Sequence, residues 1–178
     1  GKIKVVLSDI VVRESKRHIA ARVKEVCGIV NTARNSALKV YNEHLISSIG
    51  MNEMFRIVES EDDIIAKEEK VFDDFLCAID AEILGTDLID INSVLSDYFG
   101  AKPPFEESGK KKSEFPDAFI AQQIRNRFGE TETVIIVSND KGFIRACQES
   151  ENCLFFNSLG ALYNAISKED AAYDDTIA

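Results

Sequence analysis

The tightest constraint on how this chain can fold is four residues long. Val134-Ile135-Ile136-Val137 is an uninterrupted apolar run, which predicts a short strand buried on both faces, as in a parallel sheet. Ser138-Asn139-Asp140 follows at its carboxyl end, the edge at which open α/β folds bind ligands. A helix is predicted from Lys141 to Glu149, and a second short strand over Cys153 to Phe156. Just upstream, Pro116 at a first helical position starts a helix that reaches Phe128 and stops at Gly129.

The rest of the chain extends the same architecture. Ile3 to Leu7 reads as a buried strand, with Ser8-Asp9 as a turn or helix cap. Ile19, Val23, Val26 and Val30 then recur at helical spacing and continue through Ala33, Ala37, Val40 and Leu45, with Gly28 the weak point. A turn is expected between Ile49 and Val58. A second amphipathic helix is expected from Glu61 to Leu84, ended by Gly85. Asn92 or Ser93 caps a short helix through Tyr98, and Ala101 to Ser113, with two prolines and four lysines, is a loop. Ser158 to Ile166 is a last helix before an aperiodic acidic tail. Strand, long helices, then alternating strand and helix predict a three-layer α/β/α domain with a central parallel sheet, spanning 1–168 and followed by the tail 169–178. The long helices are expected to pack on the sheet or to offer a homodimer or protein-partner surface.

Composition narrows the setting. A chain of 178 residues, 45% hydrophobic and 29% charged, suits one soluble domain. No apolar run approaches the roughly 18 to 20 residues that cross a bilayer, so no membrane partner is expected. Cys27, Cys77, Cys147 and Cys153 form no CxxC pair, and His18 and His44 stand apart; a reduced, cytoplasmic protein without a zinc framework is expected. The net charge of −10 argues against a protein that coats nucleic acid through a general basic field. It leaves room for an acidic pocket with a local basic rim, because Arg13 to Arg22 and Lys110 to Lys112 gather positive charge.

Asp117 and Asp140 both sit where the chain turns into a helix, and Glu14 lies near the start of the long first helix. Singly, each has an ordinary explanation as a cap, a dipole partner or a surface charge. Jointly they point to one cleft, where crowded carboxylates would repel and be driven to protonate. A divalent cation relieves that conflict: Mg²⁺ takes oxygen ligands at about 2.0–2.1 Å, commonly one or two carboxylates plus waters and phosphate, and Mn²⁺ suits the same shell.

Lys112-Ser113-Glu114-Phe115-Pro116-Asp117-Ala118-Phe119 and Val137-Ser138-Asn139-Asp140-Lys141-Gly142-Phe143 resemble the last two motifs of PIN-like domains, most closely a bacterial branch. Val5 to His18 is similar to that family's second motif, with Glu14 as its glutamate. The resemblance implies an endonuclease fold that uses Mg²⁺ or Mn²⁺ and most often cuts RNA. It makes Glu14, Asp117 and Asp140 metal-site and catalytic acids, with Glu114 and Asn139 auxiliary. It also makes Lys110, Lys111 and Lys112 candidates to contact nucleic-acid phosphates.

Two departures shape the expectation. Gly142 stands where the family often has a second aspartate. The family's first motif, a strand ending in an aspartate, is expected to be missing: the opening strand reads as the second, and Asp9 as part of a cap. The chain would then be a fragment, or would take its first strand from elsewhere, with little or no metal-dependent cleavage. A second reading is a catalytically silent PIN-like module that binds nucleic acid or a partner protein. A phosphatase-like or receiver-like domain needs a strand ending in a phosphate-accepting aspartate, for which Asp9 is the one candidate.

Overall fold

The computed structural model describes residues 3–40, 43–48, 50, 59–105, 114–129, 132–148 and 152–177. Strand β1 (Val6–Ser8) runs directly into α1 (Asp9–Val40), followed by α2 (Glu43–Ser48), α3 (Glu61–Ala78) and β2 (Glu82–Leu84). A 3₁₀ turn (Thr86–Leu88) precedes α4 (Ile91–Phe99) and α5 (Phe115–Phe128). Then come β3 (Val134–Val137), α6 (Lys141–Cys147), β4 (Cys153–Phe156) and α7 (Leu159–Ile177). The chain is mixed α/β, and its described strands pair two by two, β1 with β2 and β3 with β4. It divides into two compact units: Gly1–Leu7 with Val11–Ile83, and Ser8–Ile10 with Leu84–Ala178.

In the first unit, Gly28 does not interrupt α1, which is continuous over 32 residues. The helix already satisfies its backbone there, and Thr32 Oγ1 adds a hydrogen bond to the Gly28 carbonyl at 2.8 Å. Ser60 caps α3 by accepting from the Asp63 amide at 3.1 Å. Lys16 of α1 pairs with Asp73 of α3 at 2.7 Å. That exposed pair contributes little stability on its own.

The end of α3 corrects the expectation of a helix reaching Leu84. Asp80 adopts φ 52°, its amide donates to Cys77 O, and the Ala81 amide reaches back to Leu76 O. This is the paired closure that terminates helices at a left-handed residue. Aspartate tolerates that conformation better than most side chains, so the stop carries no glycine to announce it. Ile83, within the range expected to be helical, instead belongs to β2. Leu76 is buried, whereas Val71 and Phe75 are exposed.

In the second unit, β3 and β4 are parallel with Val134 opposite Cys153, Ile135 opposite Leu154, Ile136 opposite Phe155 and Val137 opposite Phe156. The expectation that Val134–Val137 is buried on both faces is not met. Side chains alternate across a strand, and here Ile136 is buried while Ile135 and Val137 remain over a third exposed. Ile136 packs with Ala121, Ala146 and Cys147, joined by Ile124, Phe143 and Phe155. A second cluster forms around Val94, Phe105 and Ala118, with Tyr98, Phe105 and Phe115 ring to ring at 5.0–5.3 Å. It fixes the start of α5 against α4.

Helix ends in this unit follow local chemistry. Asp90, rather than Asn92 or Ser93, caps α4, accepting from the Asn92 amide at 3.0 Å. Pro116 lies in the first turn of α5, and Gly129 closes the helix at φ 55°. α7 continues to Ile177, through the segment expected to be an aperiodic tail; after Gly160 that stretch has neither glycine nor proline to stop it.

Candidate functional site

β1 delivers its chain to a polar corner. Ser8, 5% exposed, turns its hydroxyl to accept the Ile10 amide at 3.0 Å, so the local turn is made by Ser8. The half-buried Asp9 carboxylate is directed elsewhere. Its Oδ1 accepts a 2.8 Å hydrogen bond from Gln123 Nε2.

Gln123 lies on α5 and is fully buried, at 0% exposure. Besides Asp9, its Nε2 faces Gly85 O at 3.0 Å and Leu84 O at 3.2 Å. Three acceptors around one end of the amide decide which end is nitrogen, because the reversed amide would oppose oxygen to oxygen. Its Oε1 is buried with no hydrogen-bond partner among the described residues. The side chain thus gathers the start of α1, the end of β2 and the middle of α5 around one carboxylate.

Asp117 lies half-buried in the first turn of α5, where a negative charge is favoured by the helix dipole. Asp140 is exposed at the head of α6 and caps it, Oδ1 accepting from the Phe143 amide at 2.9 Å. Ser138 supports the turn, its hydroxyl accepting the Asp140 amide at 3.1 Å. Gly142 leaves room beside this carboxylate: a Cβ there would lie 3.2 Å from Asp140 Oδ1. Glu114 precedes α5 half-buried and makes no side-chain cap to it, and Asn139 is exposed. Lys110, Lys111 and Lys112 lie outside the described residues.

Asp9, Asp117 and Asp140 therefore belong to one unit, and Glu14, half-buried on α1, to the other. Among the described residues, no group of three or more His, Cys, Asp or Glu side chains lies close enough to hold a metal ion. The donor chemistry still suits a hard cation. It consists of carboxylate oxygens, and Mg²⁺ commonly takes one or two of these, filling its shell with waters and phosphate.

Asp9 is the residue that sequence reasoning set aside as part of a cap. The signal that distinguishes it is Ser8: a serine that makes the turn itself leaves the next carboxylate available for work across the fold. Asp117 also touches the electrostatics of the core. The Cys147 thiol is pushed up to about 12, chiefly by burial, with Cys153 and the charge of Asp117 adding to the shift and Arg125 opposing it.

A family model described as a PIN domain matches residues 1–143. The chain belongs to the PIN domain family. PIN domains have a nuclease-like fold, generally bind nucleic acid and generally use divalent metal ions. The matched segment of this PIN domain includes Asp9, Glu14, Asp117 and Asp140. No curated protein and no solved structure matches the chain. No helix among the described residues of this PIN domain is long and apolar enough to cross a membrane.

Proposed function

We propose that this PIN domain is a Mg²⁺- or Mn²⁺-dependent endonuclease that hydrolyses RNA, within a three-layer α/β/α domain covering 1–168. The observation that carries the reading is the Asp9 carboxylate, at the end of β1 and hydrogen-bonded to buried Gln123. It lies in the same unit as Asp117 and Asp140. In this reading Asp9 takes the place of the strand-end aspartate that the resemblance otherwise lacks. The expectation of little or no cleavage rested on that lack, so turnover is expected instead.

Asp9, Asp117 and Asp140 would offer the oxygen ligands, and the family resemblance adds Glu14 as a further candidate acid. When bound, the cation supplies a more acidic water and stabilises charge on the phosphate oxygens. The chain's own contribution is to hold Asp9, Asp117 and Asp140 at helix starts, where the helix dipole favours a negative charge. Glu114 and Asn139 are auxiliary groups that orient water or ligand. Lys110, Lys111 and Lys112 contact phosphates and offset the overall negative charge near the substrate. Mn²⁺-dependent cleavage of single-stranded RNA tests the reading: cleavage that Asp117→Asn removes supports it, and cleavage unaffected by that change refutes it.

One observation favours a second reading, a catalytically silent PIN module that binds nucleic acid or a partner protein. No three acids stand within ligating reach of one another among the described residues. Calorimetry separates the two, because only the nuclease reading predicts Mn²⁺ binding that depends on Asp9, Asp117 and Asp140.

A further inference from the structure

Buried glutamine is an expensive way to fill a core, because both ends of its amide must be satisfied. Nε2 of Gln123 meets Asp9, Gly85 and Leu84, while Oε1, at 0% residue exposure, has no partner among the described residues. An amide nitrogen has two hydrogens, so three acceptors share them, and one of the three is a carboxylate that gives the shorter, charge-assisted bond. The arrangement leaves a buried oxygen without a partner among the described residues while keeping a donor on Asp9. A residue serving packing alone would do better as leucine or methionine.

We propose that Gln123 is a positioning residue of the acid centre: its amide, braced on two carbonyls at the end of β2, fixes the rotamer of Asp9 so that the carboxylate is set for the cation. This rests on the nuclease reading above. Gln123 touches neither cation nor substrate; it acts through Asp9, as outer groups that orient metal ligands do.

The test is Mn²⁺ calorimetry on the wild-type chain and on Gln123→Met, which keeps the volume and loses the donor. Asp9→Asn and the double variant complete a cycle, and folding is checked by circular dichroism. Gln123→Asn, one methylene too short to reach, serves if the methionine variant does not fold. Asn126→Ala is the structural control, since it removes another side-chain bond from α5, to Leu88 O at 2.7 Å, that involves no acid. The expected result is Mn²⁺ binding weakened about 10- to 100-fold by the Gln123 change, no further weakening by it when Asp9 is already asparagine, and no change for Asn126→Ala. If wild type binds Mn²⁺ and Asp9→Asn weakens it but a folded Gln123 variant binds like wild type, the positioning role is wrong and the nuclease reading stands. Equal weakening by Asn126→Ala, or additive effects in the double variant, also overturns the positioning role. If wild type binds no Mn²⁺, the nuclease reading fails and this inference falls with it.

Discussion

Asp9 and Gln123 are separated by 114 positions in the chain and joined by a 2.8 Å hydrogen bond from amide nitrogen to carboxylate oxygen. The bond is asymmetric in what each partner can lose. Without Asp9, Gln123 Nε2 still has Leu84 O and Gly85 O to donate to. Without Gln123, two carbonyls and a carboxylate lose a donor, and a fully buried side chain leaves a cavity. Gln123→Ala is therefore expected to cost about 2–4 kcal/mol, and Asp9→Ala roughly 1–2 kcal/mol. Urea unfolding of the two variants checks the order; equal costs would contradict it.

Asp140 allows structure and chemistry to be separated. Its carboxylate caps α6, and asparagine caps about as well as aspartate. Asp140→Asn should leave the melting temperature nearly unchanged while removing Mn²⁺-dependent cleavage. Asp140→Ala should also lose the cap, about 0.5–2 kcal/mol of stability. Cleavage retained by the asparagine variant would reduce Asp140 to a cap.

The aromatic cluster at the start of α5 is part of the second unit's buried core. Phe105 is 1% exposed and contacts Tyr98 and Phe115 edge-on. Phe105→Ala is expected to destabilise by about 3–5 kcal/mol, read as a lower urea midpoint. A loss under about 1 kcal/mol would mean that the pocket closes over the missing ring.

The cysteines should react in order of exposure and acidity. Cys77 is exposed, whereas Cys147 is buried with its thiol pushed up to about 12, so at neutral pH it has almost no thiolate. Iodoacetamide followed by peptide mass mapping should label Cys77 first and Cys147 only after unfolding. The same shift has a stability consequence with a defined sign. Below the ordinary value of 9.0 both states keep the proton, and the group leaves stability independent of pH. Between there and about 12 the unfolded chain releases the proton and the folded chain does not, so stability falls as pH rises. Cys147→Ala should flatten that part of the profile.

Most helices and the β3–β4 pair were legible because their signals are local. Pro116 and Gly129 bracket α5, and Asp140 marks the head of α6, within a residue of where the structure has them. Three features escaped local reading. The end of α3 depends on an aspartate at positive φ, a position usually marked by glycine. Ile135 and Val137 remain partly exposed, because an apolar run cannot say whether one face or two is covered. Asp9 escaped for the deepest reason: its partner is supplied by a helix that begins over a hundred residues later, and no spacing along the chain encodes that meeting. Asp117 and Asp140 stand out in the sequence as candidates because each begins a helix, whereas the hydrogen bond between Asp9 and Gln123 is visible only in the structure.

The most direct test of the account is cleavage of a labelled single-stranded RNA with Mn²⁺, comparing wild type with Asp9→Asn at matched folded fraction. The account predicts Mn²⁺-dependent cleavage by the wild-type chain, abolished by chelator and reduced at least 100-fold by the substitution. Folded wild-type protein that cleaves no RNA with Mn²⁺, or cleavage indifferent to Asp9, would contradict it.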